Sequence, residues 1–252
     1  MRWVRYREGG RLFYGVLEDD RLREGVGDPF HGWRENGHRV PFSSAHVLAP
    51  CEPTKIVAVG LNYRDHAAEM KKALPEEPLL FIKPGTAVIG AGEQILCPPQ
   101  SKQVEFEGEL AIVIGRTCRR VTPGDAIDYI LGYTCMIDVT ARDIQRREGQ
   151  YTRAKGFDTF APLGPWIETA VDPEDVTIET FVNGERRQAS RTNELIFSPA
   201  FLVSFISHVM TLLPGDVVST GTPSGVGALR PGDSIEVRIG SIGALRCGVS
   251  GG

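Results

Sequence analysis

The sequence contains no run of about 18 consecutive apolar residues, and its opening Met1-Arg2-Trp3-Val4-Arg5 lacks the apolar core of a signal peptide. A membrane-spanning helix is therefore not expected, and a cytoplasmic protein is. Cysteine is sparse. Cys51, Cys97, Cys118, Cys135 and Cys247 are odd in number and scattered, with no C-x-x-C spacing, which argues against a disulfide framework and against a structural zinc site. No block of five like charges occurs and the formal net charge is -4, so neither nucleic acid nor a membrane surface is an expected partner. Neither G-x-G-x-x-G nor a Gly-Lys-Ser/Thr phosphate loop is present, and nucleotides are not indicated.

What remains is 252 residues of ordinary globular composition, 41% hydrophobic and 24% charged, enough for one large domain or a main domain with a small appendage. Trp3 to Tyr6 and Leu12 to Leu17, separated by Gly9-Gly10, read as a hairpin; Pro29 to Ser44 is polar and carries Gly and Pro, and Ala49-Pro50-Cys51-Glu52-Pro53 reads as a connector. A boundary near residue 52 follows, with a small N-terminal β domain over 1–52 and a catalytic domain over 53–252. Ile56 to Val59, Glu105 to Arg116, Tyr129 to Val139, Val217 to Thr220, Ser234 to Ile239 and Ala244 to Val249 read as strands. Asp65 to Lys72 suits a short helix. A longer one is capped by Ser198, with Phe201, Leu202, Phe205, Ile206, Val209, Met210 and Leu213 on its apolar face. Helices do not alternate with strands as a doubly wound sheet requires, so the expected class is α+β, mainly β.

Chemistry concentrates in a few segments. In VEFEGELAIVIG, a period of two places Glu105, Glu107 and Glu109 on one face with Ala111 and Val113. A solvated strand end is the ordinary reading of alternating Glu; a face that turns apolar instead brings carboxylates toward a buried region, where a cation must meet them. Asp138, in the apolar Met136 to Val139, would complete a three-carboxylate set unless it serves as a turn or cap. Oxygen ligands alone favour a hard cation: Mg2+ first, with Mn2+ or Ca2+ as alternatives. Arg142, Gln145 and Lys155 follow, and unless they belong to a surface loop they are suited to binding carboxylate or enolate oxygen. His66 and Glu69, at i and i+3, form a pair in which the acid orients the imidazole for proton transfer, or else a solvated helix face. The Gly-rich STGTPSGVG, residues 219 to 227, offers backbone N–H groups and the Thr222 hydroxyl to a carboxylate, or is a tight connection between strands.

Taken in order, VGLNYRDHAAEM, FIKPG, VEFEGELAIVIG, IDVTARDIQ, RAKGFDTFAPLGPWI and TGTPSGVG resemble the motifs of the fumarylacetoacetate hydrolase family from about Thr54 onward. The resemblance implies layered β-sheets rolled around a metal, usually in a homodimer. It implies Glu107, Glu109 and Asp138 as metal ligands, with Arg142, Gln145, Lys155 and Thr222 on the substrate side. Thr159 falls beside the metal site, and His66 with Glu69 forms the proton-handling dyad. Leu61 stands where some acylpyruvate-cleaving members carry Arg, and Gly85 replaces a frequent Ser. The Gly-Leu-Asn-Tyr form is closer to bacterial isomerase and decarboxylase members, with 2-hydroxyhepta-2,4-diene-1,7-dioate as the isomerase substrate. The expectation is a small 2-oxo or 2-hydroxy-dienoic diacid, its second carboxylate clamped by Arg142 and its enolate stabilised by Lys155. Alternatives are an acylpyruvate or fumarylacetoacetate-type C–C hydrolase, an oxaloacetate decarboxylase or tautomerase, and, outside catalysis, a metal-dependent module that binds a small acid.

Overall fold

A computed structural model describes all 252 residues. The largest sheet has a main path running, by residue range, 34–41, 21–26, 11–18, 2–8, 161–168, 130–137, 108–114, 217–219, 55–60 and 79–84. A five-stranded sheet (185–191, 177–182, 234–239, 243–251, 94–97) packs across its central part. A third sheet has three short strands (140–141, 104–106, 227–228). The main core of 37 buried residues brings Leu110, Ile112 and Ile114 together with Ile178, Val237 and Leu245. Ala111, Val113, Met136 and Leu163 fill a second cluster. Gly108–Ile114 is thus buried on both faces, which is why its sequence reads as a nearly continuous apolar run.

The hairpin at the N-terminus forms as expected, Arg2–Glu8 against Arg11–Glu18. Its strands are not separate from the rest: Trp3 pairs with Ile167, so the first strand extends the same sheet that carries the site. The polar stretch from Pro29 to Ser44, for which no strand is expected from the sequence, contains the strand Arg34–Pro41. As a largely exposed edge whose pairing with Arg21–Val26 shifts register between Arg23 and Gly25, it lacks the alternation that marks a half-buried strand. The hairpin of Thr177–Val182 and Glu185–Arg191, part of the second sheet, had no expectation at all.

The helix Pro199–Val209 is capped as expected, the Ser198 side chain accepting from the Phe201 N–H. Its inward face is different. Leu202, Val203 and Ile206 are buried with Ser204 and Ser207, whereas Phe201, Val209 and Leu213 are exposed. The two serines turn inward because they satisfy Val121: Ser204 Oγ donates to its carbonyl (2.8 Å) and Ser207 Oγ accepts from its N–H (3.0 Å). The first helix is shorter than expected, Arg64–Glu69, and no helix is long and apolar enough to cross a membrane.

Candidate active site

The site forms where two paired strands leave one sheet for another. Val104–Phe106 and Gly108–Ile114 are separate strands interrupted at Glu107, and their partner is interrupted opposite, between Ile130–Ile137 and Thr140–Ala141, at Asp138 and Val139. One bond holds the crossover together, the Asp138 N–H donating to the Glu107 carbonyl at 2.8 Å. Backbone groups freed by the switch find side chains. Gln188 Oε1 accepts from Gly108 N (3.0 Å), and the Thr222 hydroxyl donates to the Gly108 carbonyl (2.9 Å). A Cβ on residue 108 would lie 2.1 Å from Thr180 Oγ1, so this crossing admits only glycine.

The switch brings Glu107, Glu109 and Asp138 together, their ligating oxygens within 4.8 Å of one another and all three residues buried. Asp138 Oδ1 accepts from Lys83 Nζ (2.7 Å) and Oδ2 from Lys155 Nζ (2.5 Å). Glu107 Oε2 accepts from Lys155 Nζ (2.8 Å), and its Oε1 takes a short contact from Arg142 Nη2. Glu109 pairs with no cation. Its Oε2 accepts from the Ser219 hydroxyl and from Gly221 N (2.9 Å). Gly221 sits at φ +99° against Asn62, where a Cβ would lie 2.8 Å from the Asn62 Cβ.

These unequal partners separate the acids. Burial works against ionising Glu107, but the charges on Lys155 and Arg142 outweigh it and hold its carboxyl down to about 2. Burial together with the charges on Asp138 and Glu107 pushes Glu109 up to about 8, against the Ser219 hydrogen bond. Burial disfavours the charged form of Lys155, yet Asp138 and Glu107 hold its ammonium above its ordinary range; burial lowers Lys83 despite Asp138. Three buried carboxylates, one of them without a cationic partner, and no His or Cys among them make a donor set that fits a hard divalent cation.

A cavity of about 660 Å³ opens onto this cluster, lined by Glu107, Glu109 and Lys155 and also by His66, Glu69 and Leu61. His66 Nδ1 lies 3.0 Å from Glu69 Oε2, and Glu69 Oε1 accepts from Gly225 N at 3.2 Å, which ties the first helix to the loop read as Gly-rich. Gln145 and Thr222 also line the cavity.

Three placements differ from the sequence-based expectation. Arg142 Nε donates to Glu105 (2.7 Å), Nη1 to Gln145 (2.6 Å) and Nη2 to Glu107, so each nitrogen already serves the protein's own acids and amide instead of projecting toward a second carboxylate. The Thr222 proton goes to Gly108, and its oxygen accepts from Gln188 Nε2 (2.8 Å), which leaves the hydroxyl only acceptor capacity toward a ligand. Thr159 is turned away: its hydroxyl accepts from Leu96 N (2.9 Å) and it does not line the cavity.

Sequence reasoning did not single out Lys83, Gln188 or Asn62. Lys83 is fully buried on Asp138 and was visible only as part of FIKPG. Asn62 Nδ2 donates to the Thr220 carbonyl (2.7 Å) and its Oδ1 accepts from Phe197 N (2.8 Å), anchoring the start of the first helix; an invitation to look lay in Asn62-Tyr63 ahead of that helix. Gln188 lies on an otherwise exposed strand with no neighbouring chemistry, and nothing local marks it.

A mainly β protein with a pocket of buried carboxylates shaped for a divalent cation is the class that fold and site define. Residues 55–250 match the family profile described as Fumarylacetoacetate (FAA) hydrolase C-terminal, and residues 1–50 match the one described as Rv2993c-like, N-terminal. The chain belongs to the fumarylacetoacetate hydrolase family, whose members are enzymes. Among solved structures, it is similar to 2-hydroxyhepta-2,4-diene-1,7-dioate isomerase from Mycobacterium marinum, with 42% identity, a TM-score of 0.93 and coverage of 100% of this chain and 98% of that one. It is also similar to 5-carboxymethyl-2-hydroxymuconate delta-isomerase from Mycobacterium smegmatis, with 44% identity and a TM-score of 0.94 over the whole of both chains. The mitochondrial oxaloacetate tautomerase Fahd2a of Rattus norvegicus is 39% identical over 218 residues, 82% of this chain and 70% of the rat protein.

Proposed function

We propose that this protein is a divalent-metal-dependent isomerase of a 2-hydroxy-dienoic or 2-oxo diacid, with 2-hydroxyhepta-2,4-diene-1,7-dioate as its substrate. The observation that carries the reading is a hydrogen-bonded pair, His66 and Glu69, lining the same cavity as Lys155 and two acids of the buried carboxylate triad, Glu107 and Glu109. Glu107, Glu109 and Asp138 would hold Mg2+, which when bound supplies electrostatic polarisation of a 2-oxo acid. Lys155 Nζ, held at the inner wall, places positive charge where an enolate oxygen develops. His66, its Nδ1 fixed on Glu69, has Nε2 left to take or return a proton at substrate carbon, and an isomerase needs only that proton moved. Passive chelation of a small acid requires no such dyad, which favours turnover over a binding module.

Oxaloacetate tautomerisation is the second reading, supported by the rat relative, and it uses the same proton transfer on a shorter diacid. Turnover of the seven-carbon hydroxydienedioate, an acylpyruvate and oxaloacetate, each with Mg2+ and with chelator, distinguishes the two: fastest Mg2+-dependent conversion of the seven-carbon acid is expected, and conversion of oxaloacetate alone would replace the first reading by the second.

His66→Ala is expected to lower turnover by roughly 10²-fold or more. Mg2+ affinity should stay within about twofold, since His66 contacts none of the three acids. A matching loss of Mg2+ binding, read by calorimetry, would refute the role.

A further inference from the structure

A second carboxylate on the substrate needs a cation that the protein is not already using, and the inner wall of the cavity has none. Lys155 is held by Glu107 and Asp138, and all three Arg142 nitrogens donate to Glu105, Gln145 and Glu107. Two more cations line the same cavity farther out, Lys72 and Arg146. Neither forms an ion pair, although the neighbouring Arg147 and Arg153 both pair with Glu148. Arg146 lies four residues after Arg142 on the helix Arg142–Glu148, which turns Arg142, Gln145 and Arg146 to the cavity together. Its Nη1 donates to Gln103 Oε1 at 3.1 Å, a neutral partner that orients the guanidinium and leaves its charge uncompensated. Lys72 lines the same cavity, three residues beyond Glu69 at the end of the first helix, and its ammonium makes no hydrogen bond within the protein.

We infer that Arg146 and Lys72 form the subsite for the substrate's distal carboxylate and determine the preference for a long diacid. This rests on the diacid reading above and moves the clamp outward from Arg142, which becomes a positioning residue for Glu107. Arg146 sits one helical turn beyond Arg142, roughly 6 Å along the axis. Arg142 is bonded to Glu107 of the triad whereas Arg146 is one turn removed from it, so a carboxylate held there while the other end sits at the triad calls for a dioate longer than oxaloacetate, such as one with six carbon–carbon bonds between its carboxylates against three. Both cations are exposed at the mouth, so their attraction is screened by salt as an interior pair would not be.

The test is equilibrium binding to the Mg2+-loaded protein, read by calorimetry, with 2-oxoheptanedioate and its monoacid counterpart 2-oxoheptanoate. The unaltered protein is expected to bind the diacid about tenfold more tightly or better. In Arg146→Met/Lys72→Met that preference should fall by about tenfold, with the monoacid affinity kept within about twofold. Arg146→Lys should restore part of it. Raising ionic strength should weaken diacid binding in the unaltered protein and much less in the double variant. A preference for the diacid that survives in the double variant overturns the subsite and returns the distal carboxylate to the inner wall. Equal binding of diacid and monoacid by the unaltered protein overturns the subsite and the diacid reading together. Both positions are exposed, so the variants are expected to fold, which a thermal melt verifies.

Discussion

Glu109→Gln is expected to lower Mg2+-dependent turnover severely while making the metal-free protein more stable at alkaline pH. Glu109 is the one acid of the triad with no cationic partner, and burial among Asp138 and Glu107 raises its carboxyl from an ordinary 4.5 to about 8. A folded-state pKa above the unfolded one means that the native protein holds a proton the unfolded chain releases. The stability this contributes is full below about pH 4.5 and is lost as pH rises through 8. Glutamine mimics the protonated form at every pH. The metal-free variant should therefore melt close to the unaltered protein at pH 5 and exceed it at pH 9, by on the order of 3 kcal/mol. Divalent ion reverses the order, because the cation replaces that proton: loading the unaltered protein at pH 7 should release close to one proton and raise its melting temperature. The variant should show neither effect, and turnover should fall by roughly 10²-fold or more. Melting curves at the two pH values with and without Mg2+, and proton release in an indicator buffer, check this. A variant that retains Mg2+ stabilisation would remove Glu109 from the ligand set.

The second large effect is expected at Lys155. Its ammonium donates to Glu107 Oε2 at 2.8 Å and to Asp138 Oδ2 at 2.5 Å, and it is 2% exposed. Lys155→Met keeps much of the volume but leaves two buried carboxylates short of a cation, at a cost of about 3 to 5 kcal/mol in the metal-free protein. Asp138 keeps Lys83 and Glu107 keeps Arg142, so the fold is expected to survive with a lowered melting point. Saturating Mg2+ should recover more stability in the variant than it adds to the unaltered protein, since a cation among the same oxygens neutralises the same charge. Turnover should stay low even with Mg2+, because the ion restores charge balance without restoring the donor at the inner wall. An equal stability deficit with and without Mg2+ would show that Lys155 and the cation site do not share their electrostatics.

The charge balance explains why this cluster exists only as a set. Glu105, Glu107, Glu109 and Asp138 face Lys83, Arg142 and Lys155, four carboxylates against three cations, at the point where paired strands change sheets. Gln188, bonded to Gly108 and Thr222, braces the residue that lies between Glu107 and Glu109.

Local pattern alone was enough to place Glu107 and Glu109 on one face running into apolar residues, to pick out an acid inside the apolar Met136 to Val139, and to pair His66 with Glu69. Those features depend on the two-residue period of a strand, the cost of burying an unpaired charge and the i, i+3 spacing of a helix, all of which act within a few positions along the chain. The Ser198 cap was legible for the same reason. What the tertiary structure decided is everything that depends on distant partners. It broke the long acidic strand at Glu107, placed Lys83 on Asp138 across 55 residues, and brought Gln188 to Gly108 across 80. It turned Arg142 back onto the protein's own acids and sent Thr159 to Leu96. The inward face of Pro199–Val209 was likewise undecided by periodicity, since apolar residues occupy several sides of that helix and only the unpaired backbone of Val121 determines that Ser204 and Ser207 turn in. A buried polar group must find a partner wherever the fold brings one, and sequence distance carries no information about which partner that is.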